Sequence, residues 1–540
     1  MIADPAAPEA VMSAIAADVR AGRHEEAIGR ARSALEAGLE RPLVLNLAAL
    51  GLEREGRDEE AERLLRKAVR LAPRDTACRN ALGLCLLKLG RARQALEEFD
   101  RVLGMQPALA FAHVNRGNAL YALQSVSAAK ECYQRALAHD PNQPMALAAL
   151  AGIAVGRGGY QEARALAEKA LATAPELAEA QLSLAAVEQG EGELGRAETR
   201  LRGLLERSRL PATDRAHVQG LLGDVLDSAG RYDEAFEAYT ACNEALRRHH
   251  AGRYASALQY ARDLSAWVER SRARDEKWTG PASPDPSAPP RHVFVIGFPR
   301  SGATLIDVVL EGHPQVASVD GAELLMESVQ EFMGRPQDLE RLIAASRATL
   351  EQCRAAYWRR VAAAGIVDPG GRVVVDTCAL NSLKLPLIAR LFPGAKILFA
   401  CRDPRDLVLS CFRHRFVLSG PTYELLTLEG AANYYVAITD LLVRLTNLLG
   451  LEVRLVRHED LVTAFAREMA RICEFLGLEW HPAMGDFALR SRERGEPVPS
   501  ASQLMRDLGT EGLGGWRHYR AQLEPIVARL EPWAERFYYG

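Results

Sequence analysis

The stretch Gly297-Phe298-Pro299-Arg300-Ser301-Gly302-Ala303-Thr304 decides how the C-terminal half of this chain is read. An apolar run, Val293-Phe294-Val295-Ile296, precedes it, and Leu305-Ile306-Asp307-Val308-Val309-Leu310 follows. The order is strand, glycine-bounded loop, helix. The spacing G-x-x-x-x-G-x-T is that of a phosphate cradle, where backbone N–H groups at a helix N-terminus meet an anion. Where a nucleoside triphosphatase carries its lysine this chain has Ala303, and the cation comes earlier, at Arg300. The loop is therefore expected to hold a nucleotide that is not a triphosphate, through Arg300, Ser301, Gly302, Ala303 and Thr304.

A second segment repeats the order. Lys396-Ile397-Leu398-Phe399-Ala400-Cys401 reads as a strand, Arg402-Asp403-Pro404-Arg405-Asp406 follows, and Leu407 to Phe412 reads as a helix. Arg402 leaves the C-terminal end of the strand, where open α/β sheets bind ligands. Ser410 lies about two helical turns further on. A guanidinium and a hydroxyl so placed suit a second phosphate. Further strand-like runs are His292 to Ile296, Arg372 to Val375 and Leu451 to Val456, with a helix expected over Leu380 to Leu391. Their continuous apolar, β-branched character suits a buried parallel sheet in a three-layer α/β domain spanning 291–540. Before it, Lys277 to Pro290 carries five prolines and reads as a semi-extended linker; with the helix before it, this connection spans 251–290.

The N-terminal half is a repeat array. Alanine recurs every 34 residues at Ala27, Ala61, Ala95, Ala129, Ala163 and Ala197, and again at Ala235. Glycine precedes most of them at Gly22, Gly56, Gly90, Gly158, Gly192 and Gly230, with Gln124 in the remaining place. Proline recurs at Pro73, Pro107, Pro141 and Pro175. A small alanine lets paired helices approach, a glycine closes the first helix, and a proline follows the second. This period resembles the tetratricopeptide family. About seven units over residues 8–250 imply an all-α solenoid, since one helix pair cannot bury its apolar face alone. The resemblance implies a groove that takes a peptide or protein partner.

The two glycine- and arginine-bearing segments together resemble the sulfotransferase family. The closer likeness is to bacterial proteins that join tetratricopeptide repeats to a sulfotransferase domain, and beyond them to tyrosylprotein sulfotransferases. It continues through Leu391-Phe392-Pro393, His458-Glu459-Asp460-Leu461 and Gly515-Trp516-Arg517-His518-Tyr519. The resemblance implies 3′-phosphoadenosine 5′-phosphosulfate (PAPS) as co-substrate and no metal. The first loop would hold its 5′ end, and Arg402 with Ser410 its 3′-phosphate. It also implies Glu323 as the base that takes the acceptor proton, with Glu327 one helical turn later as the fallback, and Arg300 beside the charge that develops. His458 stands where relatives have tyrosine. The family's lysine after the second strand is replaced here by Thr377, in Asp376-Thr377-Cys378-Ala379. Lys384, seven residues on, is expected about 10 Å away from that place. Two readings stay open: a PAPS-dependent sulfotransferase acting on a hydroxyl, tyrosine included, of a peptide presented by the repeats, and a PAPS- or PAP-binding scaffold with lost or very low turnover. A small-molecule kinase is disfavoured by Ala303.

Composition agrees. The 540 residues are 25% charged and 48% apolar, with a net charge of −3, which gives no case for nucleic-acid binding. No stretch approaches a bilayer span, the N-terminus has no secretory pattern, and nine scattered cysteines fit buried thiols; a cytoplasmic protein is expected.

Overall fold

The computed structural model describes residues 6–123, 125–207, 210–273, 292–367, 370–487, 490 and 512–539. The chain divides into two compact units, Met1–Val187 and Glu188–Gly540. The proline-rich stretch and Gln124 lie outside the described residues.

Seven helix pairs come first. They are α1 (Ala6–Arg20) with α2 (His24–Glu36), α3 (Pro42–Arg54) with α4 (Asp58–Leu71), α5 (Thr76–Lys88) with α6 (Ala92–Met105), and α7 (Ala110–Ala122) with α8 (Val126–His139). Then come α9 (Pro144–Gly156) with α10 (Tyr160–Thr173), α11 (Ala178–Gly190) with α12 (Leu194–Leu205), and α13 (Ala212–Ser228) with α14 (Tyr232–His249). All seven periodic alanines are fully buried. The six periodic glycines have φ between +71° and +82°, a region in which a Cβ would meet backbone, so glycine ends each first helix without strain. Each periodic proline falls two residues past the end of α4, α6, α8 or α10.

In the second unit, α15 (Ala257–Ala273) sends Leu264, Trp267 and Val268 into the core of the α/β domain. That domain runs β1 (His292–Ile296), α16 (Ala303–Glu311), β2 (Val316–Asp320), α17 (Met326–Phe332), α18 (Leu339–Ile343), α19 (Arg347–Ala363) and β3 (Val373–Thr377). It continues with α20 (Leu385–Leu391), β4 (Lys396–Cys401), α21 (Pro404–Arg413), α22 (Gly420–Glu424), α23 (Leu428–Leu449), β5 (Glu452–Arg457), α24 (His458–Thr463), α25 (Phe465–Leu476) and α26 (Arg520–Arg536). The five strands are parallel in the order β2-β3-β1-β4-β5. Alternation along β1 makes the layers. Val293 and Val295 pack with Val308, Val309, Met469 and Ile472, while Phe294 and Ile296 pack with Tyr357, Ile388, Leu441 and Leu445.

Two elements differ from the sequence reading. The edge strand β2 escaped it because Val316-Ala317-Ser318-Val319-Asp320 is short and interrupted by a serine. The expected helix from Leu380 is split. Residues Ala379–Lys384 form a 3₁₀ turn, and α20 starts only at Leu385. Pro386 supplies no N–H to an α-helix begun earlier, and Ser382 Oγ is bonded to the Gly297 and Ala379 carbonyls (2.7 and 3.0 Å).

All nine cysteines are free and all but Cys378 are buried. Among the described residues no helix is long and apolar enough to cross a membrane.

Candidate active site

β1 and β4 are neighbours, so their two loops leave the same edge of the sheet side by side. A Cβ on Gly297 would lie 2.6 Å from the Ala400 carbonyl oxygen. The first loop is tied down on several sides. Gly297 N–H donates to the Ala379 carbonyl (3.0 Å), Cys411 Sγ to the Pro299 carbonyl (3.2 Å), and Phe298 packs on Tyr434 and Tyr435. Arg300, with φ +70°, and Gly302, with φ +98°, both adopt left-handed backbone. For a non-glycine residue this is rare, and such strain collects at ligand sites. At Gly302 space adds to φ: a Cβ would sit 2.7 Å from His458 Nδ1.

Side chains of both loops converge. Arg300 Nε donates to Ser410 Oγ (3.1 Å). Burial pushes the Arg300 guanidinium down to about 10, and neighbouring Arg402 and Arg413 push the same way. Buried Arg402 gives Nη2 to the Gly512 carbonyl (2.6 Å), while its Nε has no partner among the described residues. Ser301 Oγ and His458 Nδ1 are likewise buried without a partner there. Burial, then Arg402 and Arg300, push His458 down to about 3, so its imidazole is neutral. Buried polar atoms are nearly always bonded, and these three around one loop offer hydrogen bonds that no described residue takes up. The sequence reading separated Arg300 from Ser410 as 5′ and 3′ contacts; the fold puts them within one hydrogen bond.

The second loop is built for order. Asp403 accepts from Arg405 N–H and Nε at N-cap position, and Asp403 N–H donates to Glu459 Oε1 (2.9 Å). Asp406 accepts from Gly514 N–H and Trp516 N–H (2.6 and 2.8 Å), and Arg405 stacks on Trp516 (4.2 Å). The strap 512–519 is thereby fixed against α21.

Glu323 lies in the connection after β2, half-exposed, and not at a helix start. Its Oε2 is 2.5 Å from Lys384 Nζ. The sequence reading placed Lys384 remote from the chemistry along a helix that the 3₁₀ turn replaces. Glu327 instead pairs with Arg360 (2.6 Å), and that hydrogen bond holds its carboxyl below the usual range. Thr377 is buried, with Oγ1 donating to Asp307 Oδ1 (2.8 Å), which also accepts from Ser318 Oγ. Behind them Asp376 accepts from Tyr357 OH (3.1 Å) and Asn381 (3.2 Å), and burial pushes it up to about 7. Asp307 and Asp376 were not singled out from the sequence, since their partners Thr377 and Tyr357 belong to other elements.

The sulfotransferase family matches residues 290–482. The second unit carries a sulfotransferase domain. Tetratricopeptide repeats match at 14–76, 47–110, 110–143 and 216–245. An uncharacterized protein of Aquifex aeolicus (strain VF5) is 24% identical over 356 residues, 61% of this chain and 43% of its own length. Protein-tyrosine sulfotransferase 2 of Gallus gallus is 23% identical over 277 residues, 46% of this chain and 71% of its own. Protein-tyrosine sulfotransferase of Drosophila melanogaster is 23% identical over 238 residues, 42% and 46% of the two chains. The chain thus spans less than half the length of the first and third of these relatives.

Proposed function

We propose that this protein transfers a sulfuryl group from PAPS to a hydroxyl, tyrosine included, of a peptide or protein acceptor presented by the repeats. One observation carries the donor reading: Ser301 Oγ, His458 Nδ1 and Arg402 Nε, all buried and unpartnered among the described residues, surround a loop in which Gly302 leaves no room for a side chain. These groups fit a nucleotide with phosphates at two places. Bound PAPS would supply the activated sulfuryl group. Ser301, Thr304 and the N–H groups of Gly302 and Ala303 hold its 5′ end; Arg402 and Ser410 hold its 3′-phosphate. Glu323 takes the proton of the acceptor hydroxyl, a phenol having a pKa of about 10. Lys384 orients that carboxylate by their ion pair. Arg300, half-buried beside the loop, meets the negative charge left on the donor phosphate. On the repeats, exposed Leu84, Phe111 and Tyr121 of α5 and α7 offer apolar contact to an acceptor peptide. The test is transfer of label from radiolabelled PAPS by the purified protein to lysate proteins and to a small phenol.

A second reading has its own support. Thr377 brings no charge to the position of the family lysine, and its hydroxyl is taken by Asp307. A PAPS- or PAP-binding scaffold of very low turnover follows if no other cation serves there. Thr377→Lys separates the two. A gain of about tenfold in turnover, 1.4 kcal/mol, at unchanged PAP affinity identifies a site otherwise assembled.

A further inference from the structure

The last repeat reaches into the sulfotransferase domain through several polar contacts, and one carboxylate holds two of its elements. Asp227, on α13, accepts from Arg413 Nη2 with one oxygen and from Tyr519 OH with the other. Arg413 is the last residue of α21, and Tyr519 closes the strap 512–519. The Arg413 guanidinium lies between the rings of Tyr239 on α14 (5.2 Å) and Tyr519 (5.5 Å). Asn243 of α14 donates to the Phe412 carbonyl (2.8 Å), and Arg415 pairs with Asp224 (2.6 Å). These contacts are 169 to 292 residues apart in sequence, so none was visible from spacing.

Both elements held by Asp227 lead to the anion site. α21 begins just after Arg402 and carries Ser410, which accepts from Arg300. The strap ends on Arg402, through the Gly512 carbonyl. At one end it is pinned by Asp406, at the other by Tyr519 on Asp227. We propose that Asp227 is a positioning residue for the 3′-phosphate contacts: it sets α21 and the strap so that Arg402 and Ser410 face the same anion. The inference rests on the donor reading above. A repeat is then a structural part of the donor site as well as a surface for acceptors. The physical reason is charge. With an amide in place of the carboxylate, Arg413 beside Arg300 loses its counter-charge, and the one remaining oxygen cannot serve both Arg413 and the Tyr519 hydroxyl as the two carboxylate oxygens do, so strap and helix part.

The test compares adenosine 3′,5′-bisphosphate (PAP) with adenosine 5′-phosphate by calorimetry on the full-length chain. Asp227→Asn should lose at least fivefold in PAP affinity and less than twofold for the monophosphate, because only the 3′ contacts depend on strap and helix together. Tyr519→Phe keeps the ring over Arg413, removes only the hydroxyl, and should show a smaller loss of the same selectivity. Asp233→Ala, which removes the acceptor that α14 offers to Gln522 on α26 just past the strap, should leave both affinities unchanged. If Asp227→Asn lowers both affinities equally, or neither, the positioning role is wrong. If it does not fold, Tyr519→Phe decides alone, and a wild-type ratio there overturns the inference. A wild-type protein without preference for PAP over the monophosphate overturns the donor reading itself, and the inference with it.

Discussion

The fourth and seventh helix pairs share one internal design and differ in one charge. In the fourth, the Tyr133 ring occupies the space over Gly117, and its hydroxyl donates to the next residue, Asn118 (2.8 Å). In the seventh, Tyr239 occupies the space over Gly223 and donates to Asp224 (3.0 Å). The third pair shows the rule by exception: Phe99 lies over Gly83, has no hydroxyl, and the next residue is Leu84. The residue after the glycine matches what the ring offers. Asp224 does more, since its second oxygen takes Arg415, just beyond α21. A single carboxylate turns an internal packing contact into an anchor for the sulfotransferase domain.

That contrast predicts where substitutions act. In the sulfotransferase domain, site changes should remove activity at constant stability. Glu323→Gln should lower transfer by about 100-fold or more while PAP affinity holds, because an amide of like shape accepts no proton. Wild-type rates would move the role elsewhere, and Glu327 would first have to give up Arg360. Next in size is a matched pair of substitutions. Asp224→Asn leaves Arg415 without its carboxylate and should cost about 1–3 kcal/mol in urea unfolding of the second unit. Asn118→Asp in the fourth pair should cost less than about 1 kcal/mol, since Tyr133 keeps an acceptor and no cation is stranded. Equal costs would break the comparison. The last prediction is a pH slope. Asp376 is pushed from its usual 3.8 up to about 7 by burial, so between these values the unfolded chain is ionised there and the folded one keeps its proton. Its contribution to stability is therefore lost as pH rises from about 4 to about 7. Asp376→Asn should flatten that part of the profile while retaining a partner for Tyr357; an unchanged slope would assign it to another group.

Periodicity made the repeats legible because each unit meets only its neighbours: buried alanine, left-handed glycine and helix-ending proline are all local necessities. The parallel sheet was legible from its apolar runs, except β2, where Ser318 turns toward Asp307 and interrupts the pattern. The two motif loops were legible as separate segments. Their meeting was not, because the Arg300–Ser410 bond spans 110 residues and depends on β1 and β4 being neighbours. The pairing of Lys384 with Glu323 was missed because Pro386 and Ser382 replace the first turn of an expected α-helix by a 3₁₀ turn. The anchors on Asp224 and Asp227 gave no local signal, since both are ordinary polar residues on a repeat helix.

The central claim is that two loops from neighbouring strands read two separate phosphates and not a triphosphate chain. Titration of the full-length protein with PAP and with ATP, in wild type and Arg402→Ala, tests it most directly. The account predicts PAP bound at least tenfold more tightly than ATP, and a loss in Arg402→Ala of about 1.5–3 kcal/mol for PAP alone, the usual size of a hydrogen bond to a charged group. ATP bound as well as PAP, or a PAP affinity indifferent to Arg402, would contradict it.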